Sequence, residues 1–284
     1  MKRPFFVFAH LPKCAGTTFI DILRRNLGPR FYHDNGLLQN YQYSVAQMSR
    51  IVALYPKLDC IASHRYSFAI PVDDPACPRT VKAFTFVRDP VERTLSHYFF
   101  HRQRPWINTE PVNTGLLEYF QKFDRTPNCL VTYKDGQTRL LAGLNGFARI
   151  EELVRAGHVW VFPMHRFDDA MLVLEKSHPD FFPDCSYAPR NSSTRDQPVP
   201  DEVRQLILKH QEADLALVRL AGRQLDAELQ RLYPDPSDLA AKRSDFAARC
   251  ANFVARNQPP PPISPPPSLD TRIYRWFKRR LSLR

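Results

Sequence analysis

A lysine, a glycine and two threonines follow a short apolar run near the start of the chain. The run Phe5–Phe8 has the character of a buried strand, and the turn and helical pattern behind it contain Lys13, Gly16, Thr17 and Thr18. The first N–H groups of a helix have no intrahelical partners, and the helix dipole favours negative charge at that end. An ammonium group and hydroxyls add further donors. The pattern predicts an anion site; the alternative is an ordinary strand-to-helix turn with a solvated lysine.

An arginine and a serine eight residues apart form a second anion-binding pattern. Arg88 ends the predicted strand Val81–Val87, and Ser96 lies on the helix that follows. Asp89 can cap that helix. A guanidinium fork from Arg88 and a hydroxyl from Ser96 can together hold one phosphate. The alternative is a local ion pair between Arg88 and Asp89, with Ser96 exposed.

A histidine stands just beyond another predicted strand. Leu58–Ala62 has the strand pattern and leads into Ser63 and His64. Open α/β sheets place their chemistry at the carboxyl ends of the strands. Because imidazole titrates near neutral pH, His64 is a candidate general base. A hydrogen-bonded structural histidine is the alternative.

The remaining periodicity predicts the elements that would position these residues. One more strand is expected at Val159–Phe162, while residues 30–57 are mixed apart from one helix. Helices are predicted at Thr17–Leu27, Val45–Leu54, Val91–Phe100, Leu116–Phe123, Gln137–Gly143, Phe167–Leu174, Asp201–Leu232 and Leu239–Val254.

Composition limits the class of protein. The 284 residues are 43% hydrophobic and 12% aromatic, as in a globular protein with a well-filled core. The six cysteines form no CxxC pair and no regular spacing, which argues against a zinc site or disulfide framework and favours a reducing compartment. No apolar run reaches the roughly 18 residues that cross a bilayer. The apolar run after Lys2 and Arg3 is too short for a signal peptide. These features predict a cytoplasmic protein.

The chain is predicted to have three parts: a domain over residues 1–257, a Pro-rich linker over 258–268 and a basic tail over 269–284. The proline run of the linker predicts a stiff polyproline segment. Of the net charge of +11, the tail carries +5, and the remaining +6 suits an anionic ligand without requiring nucleic acid.

The basic tail has an amphipathic pattern. It places Ile273, Trp276, Phe277 and Leu281 on one helical face, with basic side chains around it. This predicts a helix on an anionic membrane surface, so that the protein would be peripheral at the inner membrane face. A solvated basic tail is the alternative.

The two anion-binding motifs resemble those of the carbohydrate sulfotransferases. His10–Thr18 looks like their 5′-phosphosulfate loop, and Arg88–Phe99 looks like their 3′-phosphate element. The nearest group contains heparan sulfate 2-O-sulfotransferase and bacterial relatives, and the resemblance covers roughly residues 4–175. It implies a single P-loop-like α/β domain with a central parallel sheet flanked by helices. The implied donor is 3′-phosphoadenosine 5′-phosphosulfate (PAPS).

The resemblance also implies roles for single residues. Lys13 would stabilise the leaving phosphate, Arg88 and Ser96 would hold the 3′-phosphate, and the 5′-phosphate would be held by Gly16, Thr17 and Thr18. His64 matches the second histidine of a His-Gly-His base motif, although Ala62 and Ser63 occupy the first two positions here. In this enzyme class a late basic loop often closes over the adenosine, and Arg195 is the candidate for that contact. The Gln137–Gly143 run is similar to one in relatives, where acceptor binding and core hydrogen bonding are both open roles.

The function implied is transfer of a sulfuryl group from PAPS to a hydroxyl of a carbohydrate or glycolipid. A donor without a γ-phosphate can dispense with Mg²⁺, so no metal is expected. Two alternatives remain at this point. One is a small-molecule kinase with an atypical phosphate loop, and the other is a catalytically idle, membrane-associated nucleotide-binding protein.

Overall fold

The structure is a computed structural model that describes residues 3–34, 43–64, 68, 74, 76–103, 114–125, 133–143, 145–189 and 198–256. The predicted linker 258–268, the tail 269–284 and Arg195 lie outside these residues.

Five parallel strands form a central sheet. They are β1 (Phe5–Ala9), β2 (Phe31–Asp34), β3 (Cys60–Ser63), β4 (Val81–Val87) and β5 (Val159–Pro163). Their order across the sheet is β2-β3-β1-β4-β5, and each neighbouring pair is parallel. After β1 the chain forms the edge strand β2 and returns inward to β3, beside β1. It then adds β4 and β5 on the other side of β1, which makes a topological switch point there.

Helices pack around this sheet. In the described part of the chain they are α1 (Gly16–Leu27), α2 (Val45–Leu54), α3 (Pro90–Arg102), α4 (Leu116–Arg125), α5 (Gly136–Ala142), α6 (Phe147–Arg155), α7 (Phe167–Ser177), α8 (Asp201–Leu208), α9 (Glu212–Leu232) and α10 (Pro236–Arg256). The P-loop-like α/β fold with a central parallel sheet flanked by helices is therefore confirmed. No helix within the described ranges has an apolar stretch of bilayer-spanning length.

Aromatic packing fixes α1 against the middle of the sheet. All five residues of β1 are buried. Phe8 stacks on Phe84 of β4 with ring centroids 5.6 Å apart, and Phe19 of α1 meets Phe8 edge-on at 5.0 Å. Such edge-to-face pairs add to the hydrophobic gain of burial. The first turn of α1 is thereby held beside the carboxyl end of β1.

The sequence prediction was wrong about one long helix and silent on one strand. Asp201–Leu232 forms two helices, α8 and α9, because the backbone N–H of Asp135 bonds the carbonyl of His210 and Gln211 Nε2 bonds the carbonyl of Tyr133. The strand β2 was not predicted. It is a four-residue strand at the sheet edge, and it is buried only at Asp34.

Two aspartates cap each other's helices at the junction of α5 and α9. Asp135 Oδ1 accepts the backbone N–H of Asp214 at 3.0 Å. The fully buried Asp214 in turn accepts the backbone N–H groups of Gln137 at 2.9 Å and Thr138 at 2.7 Å. Side-chain acceptors at helix N-termini satisfy donors that the helix itself cannot pair. This exchange locks α5 to the C-terminal half of the chain.

Candidate active site

The sheet brings three predicted site elements together at one edge. Strands β3, β1 and β4 are neighbours, and His64, the Lys13 loop and Arg88 follow their carboxyl ends. The two anion-binding motifs and the candidate base, 24 to 75 residues apart in sequence, therefore share one end of the sheet.

The loop after β1 has a strained backbone and ends at an uncapped helix. Lys13 and Ala15 adopt left-handed backbone angles, with φ of 69° and 59°. For residues other than glycine, each such conformation costs on the order of 1–3 kcal/mol and is concentrated at functional sites. No side chain caps α1, and no acidic residue lies in its first turn. The first-turn N–H groups, at Gly16, Thr17 and Thr18, therefore present positive potential to an anion.

Gly16 is required by a histidine ring. A Cβ atom at this position would lie 1.9 Å from Cδ2 and Nε2 of His10. A contact that short is impossible, so only glycine lets the helix start this close to the imidazole. The loop after β1 and the His10 ring are thus packed against each other.

Arginines from the second motif hold the loop from the other side. Arg88 Nη1 donates to the carbonyl of Lys13 at 3.4 Å, and Arg93 Nε donates to the carbonyl of Pro12 at 3.3 Å. The Arg93 side chain lies in the interior, at 1% exposure. No role was predicted for Arg93 from the sequence, although Arg93 lies one turn before Ser96 on the same helix face.

Gln137 joins both motifs through its side-chain amide. It accepts the backbone N–H of Arg88 at 2.8 Å and donates to the Arg88 carbonyl at 2.9 Å. Cys14 Sγ donates to the same amide oxygen at 3.5 Å, and burial raises the pKa of the Cys14 thiol to about 11, which keeps it a neutral donor. Of the two roles left open for this run, core hydrogen bonding is the one that Gln137 makes.

Asp89, Ser96 and Arg88 of the second motif lie at the start of α3 and within its first two turns. Asp89 Oδ1 accepts the backbone N–H of Glu92 at 2.9 Å and caps α3, so it serves as the predicted cap. Ser96 is buried at 6% exposure, which contradicts the alternative of an exposed serine. Arg88 Nη2 lies 3.9 Å from Glu92 Oε2, so the two side chains form a long ion pair.

Lys13 extends toward α3. Its Nζ lies 3.8 Å from the ring centroid of Phe100, a cation–π contact. His97, one turn earlier, is partly buried, and its pKa lies well below the usual value because of desolvation and, next, the charges of His101, Arg93 and Lys13. A neutral His97 avoids adding a further positive charge beside the lysine.

His64 has the tautomer that a general base needs. Its Nδ1 lies 2.7 Å from the carbonyl oxygen of His10, so the Nδ1–H donates and Nε2 keeps its lone pair. Burial lowers the pKa of His64, partly offset by this hydrogen bond and by the charge of Asp34. The imidazole is therefore neutral at neutral pH, and the proposed base role remains a prediction.

Two further histidines lie beside His64 and had no predicted role. The His10 ring stacks on His64 with centroids 3.9 Å apart, and the His33 ring lies 6.3 Å from His10. His10 stood inside the recognised motif, whereas His33 lies on the unpredicted strand β2. Within the described residues, no group of three or more His, Cys, Asp and Glu side chains has the arrangement of a metal site.

The first half of the chain matches the model of one known protein family. Residues 2–139 match the family model described as the sulfotransferase family. The matched segment is just under half of the chain, so the likeness is one of sequence over residues 2–139. It contains every predicted site residue except Arg195. The match does not distinguish the heparan sulfate 2-O type from other sulfotransferases.

Two other comparisons add little to the sulfotransferase assignment. No curated protein matches the chain. Among solved structures, the mouse sulfotransferase SULT7A1 complexed with PAP is similar at 12% identity and a TM-score of 0.40, over 99% of this chain and 90% of that one. A TM-score this low carries no weight for function.

Proposed function

We propose that the protein transfers the sulfuryl group of PAPS to a hydroxyl of a carbohydrate or glycolipid acceptor. The observation that carries this proposal is the contact between Arg88 and the Lys13 carbonyl, which links two separate phosphate-binding elements. A ligand with phosphates at its 3′ and 5′ positions suits two such elements, whereas a triphosphate chain suits one continuous loop.

Each half of the donor has a proposed set of partners. The first turn of α1, with Gly16, Thr17 and Thr18, would bind the 5′-phosphate, because the helix dipole favours an anion there and the turn contains no acidic residue. Arg88 and Ser96 would bind the 3′-phosphate. Arg195 remains our candidate for a contact on the adenosine side.

The reaction needs one base and stabilised negative charge. His64 Nε2 takes the proton of the acceptor hydroxyl as its oxygen forms a bond to sulfur. The bond between sulfur and the bridging oxygen of the 5′-phosphate breaks in line, leaving 3′-phosphoadenosine 5′-phosphate (PAP) and a sulfate ester. Lys13 stabilises the charge that develops on that oxygen, together with the helix N-terminus. These groups supply the positive charge, so the proposal includes no metal.

Nucleotide binding tests the donor assignment. PAP without Mg²⁺ should raise the melting temperature of the full chain, and ATP with Mg²⁺ should raise it much less. Equal or reversed stabilisation would favour the kinase alternative.

Sulfate transfer tests the reaction itself. With [³⁵S]PAPS, wild-type protein should label a hydroxyl acceptor in a panel of glycans and glycolipids. Protein that binds PAP but labels nothing in that panel would favour the catalytically idle alternative. Mass-shift profiling of cellular glycans and lipids, with and without the protein, then identifies the acceptor.

The proposal extends to where the enzyme works. The basic amphipathic pattern of residues 269–284 supports a peripheral position at an anionic membrane surface, on the cytoplasmic side. A glycolipid acceptor would be presented at that same surface.

A further inference from the structure

Three histidines from adjacent strands face the same side of the sheet. His33 is level with Ala62, which is level with Phe8. Paired positions in a parallel sheet share a face, and side chains alternate along each strand. His64 lies two residues beyond Ala62, and His10 lies two residues beyond Phe8. Both histidines therefore share a face with His33. The hydrogen bond from His10 N to the Ser63 carbonyl, 3.0 Å, extends the pairing to this point.

Helix α1 fixes which nitrogen of His33 carries the proton. Arg24 Nη2 lies 3.2 Å from His33 Nδ1, and Asp21 Oδ1 accepts from the same guanidinium at 3.3 Å. A guanidinium group donates and never accepts, so Nδ1 of His33 must accept. Burial and then the Arg24 charge lower the pKa of His33, which favours the neutral ring. The neutral ring with Nδ1 as acceptor has its proton on Nε2.

That Nε2–H is buried, and it has no hydrogen-bond partner in the described part of the chain. Buried N–H groups in native proteins are almost always paired. The Nδ1 atom of His10 is likewise buried and without a hydrogen-bond partner within the same ranges. The oriented N–H of His33 thus lies on the same face of the sheet as the lone pair of His64, with the His10 ring in contact with His64.

We propose that His33 is an acceptor-binding residue, whose Nε2–H holds a second oxygen of the acceptor while His64 binds the reacting hydroxyl. This inference rests on the proposed function. The two imidazoles then offer one hydrogen-bond acceptor, on His64, and one donor, on His33. This pair suits a polyhydroxyl acceptor with an oxygen next to the reacting hydroxyl, as in a sugar ring, better than an isolated alcohol.

Tautomer measurement tests the geometry without any acceptor. Long-range ¹H–¹⁵N spectra of full-length, ¹⁵N-histidine-labelled protein with PAP at pH 7.5 should show His33 as the Nε2–H tautomer and His64 as the Nδ1–H tautomer. Spectra of His33→Gln and His64→Gln assign the signals. Arg24→Met removes the donor and should change the tautomer signal of His33. A His33 ring in the Nδ1–H form, or one insensitive to Arg24→Met, would overturn the inference.

Transfer kinetics test the role. With methyl glucoside, galactoside and mannoside as acceptor probes, His33→Ala should lower kcat/KM at least tenfold, mainly through acceptor KM, and leave the Kd for PAP within twofold. His33→Gln, whose amide keeps an N–H donor, should recover most of that loss, and the exposed His165→Ala serves as control. Equal losses in the Ala and Gln variants would refute the donor role. Absence of PAP binding in wild-type protein would instead refute the proposed function. The tautomer measurement depends neither on sulfate transfer nor on acceptor binding.

Discussion

Arg88 Nη1 donates a hydrogen bond to the backbone carbonyl of Lys13, with 3.4 Å between the two atoms. The residue predicted to bind the 3′-phosphate therefore also supports the loop predicted to bind the 5′-phosphate. The Gln137 amide hydrogen-bonds both the N–H and the carbonyl of Arg88, so this link is formed without any bound nucleotide. Preorganised sites of this kind lose less free energy to ordering when they bind.

Replacing Arg88 should abolish discrimination for the 3′-phosphate. A hydrogen bond to a charged group contributes about 1.5–3 kcal/mol, so Arg88→Ala should weaken PAP binding by about 10- to 100-fold. Binding of adenosine 5′-phosphate, which has no 3′-phosphate, should change by less than about threefold. Calorimetric titration of both nucleotides measures the ratio, with Arg155→Ala as a surface control. Equal losses for the two nucleotides would contradict the assignment.

Replacing Lys13 should remove catalysis more than binding. Loss of one preorganised charge at the leaving oxygen typically costs about 10²–10³ in kcat, and Lys13→Ala should fall in that range. Transfer from [³⁵S]PAPS measures kcat, and PAP titration measures binding. Lys242, exposed on α10, supplies the matched control. A Lys13→Ala enzyme with near wild-type kcat would show that this lysine does not stabilise the leaving group.

The pH profile should report His64. Its folded pKa lies below 6.5 because of burial, so the base is neutral at pH 6.5 and transfer should decline only at lower pH. The Asp34 carboxylate raises the pKa of His64, and Asp34→Asn should therefore move this acidic limb to still lower pH. His64→Ala should lower the rate by about 10²–10⁴ and remove the limb. An upward shift in the Asp34→Asn profile would argue against His64 as the titrating base.

Acid should destabilise the fold through partly buried histidines that are neutral in the folded protein. The pKa values of His10 and His97 lie well below 6.5, chiefly because of burial, so the unfolded chain binds more protons as the pH falls. The contribution of these two histidines to the free energy of unfolding is present above pH 6.5 and is lost as the pH drops below it. Urea unfolding at pH 7.5 and 5.5 should show lower stability at 5.5, and His97→Gln should reduce that difference. The substitution of the exposed His165 by Gln should leave the difference unchanged. Identical differences in the wild type and both variants would show that His97 does not cause the loss of stability in acid.

Removing the C-terminal tail should reduce membrane binding. Full-length protein should sediment with vesicles that contain phosphatidylglycerol, and a variant ending at Asn257 should stay in the supernatant. Added salt should release the full-length protein, because attraction to anionic lipid is screened. Equal sedimentation of the two proteins would remove the membrane proposal.

The parts of the site that sequence predicted are those with local signals. The apolar runs of β1 and β4 lead directly into Lys13 and Arg88, so strand, turn and helix could be placed from neighbouring residues alone. Helix α2 was likewise found with its observed bounds, and its Ser44 cap accepts from Gln47 as a capping box.

The parts that sequence missed depend on distant contacts. Strand β2 is short and lies at the sheet edge, so Phe31–Asp34 has no run of apolar residues to mark it, and His33 went unnoticed with it. The break between α8 and α9 is caused by Tyr133 and Asp135, more than 70 residues earlier. Apolar spacing continues across the break, so periodicity alone predicted one helix.

The exchange of caps between Asp135 and Asp214 determines how this protein can be divided. The family match ends at Arg139, within α5, yet the carboxylate that satisfies the start of α5 belongs to α9. A fragment that stops with the matched segment would leave the Gln137 and Thr138 amides unsatisfied and would release the Gln137 side chain, which joins the two predicted phosphate-binding motifs. Grafting of the donor site onto another scaffold, or exchange of its C-terminal half with a relative's, must therefore carry α9 with it.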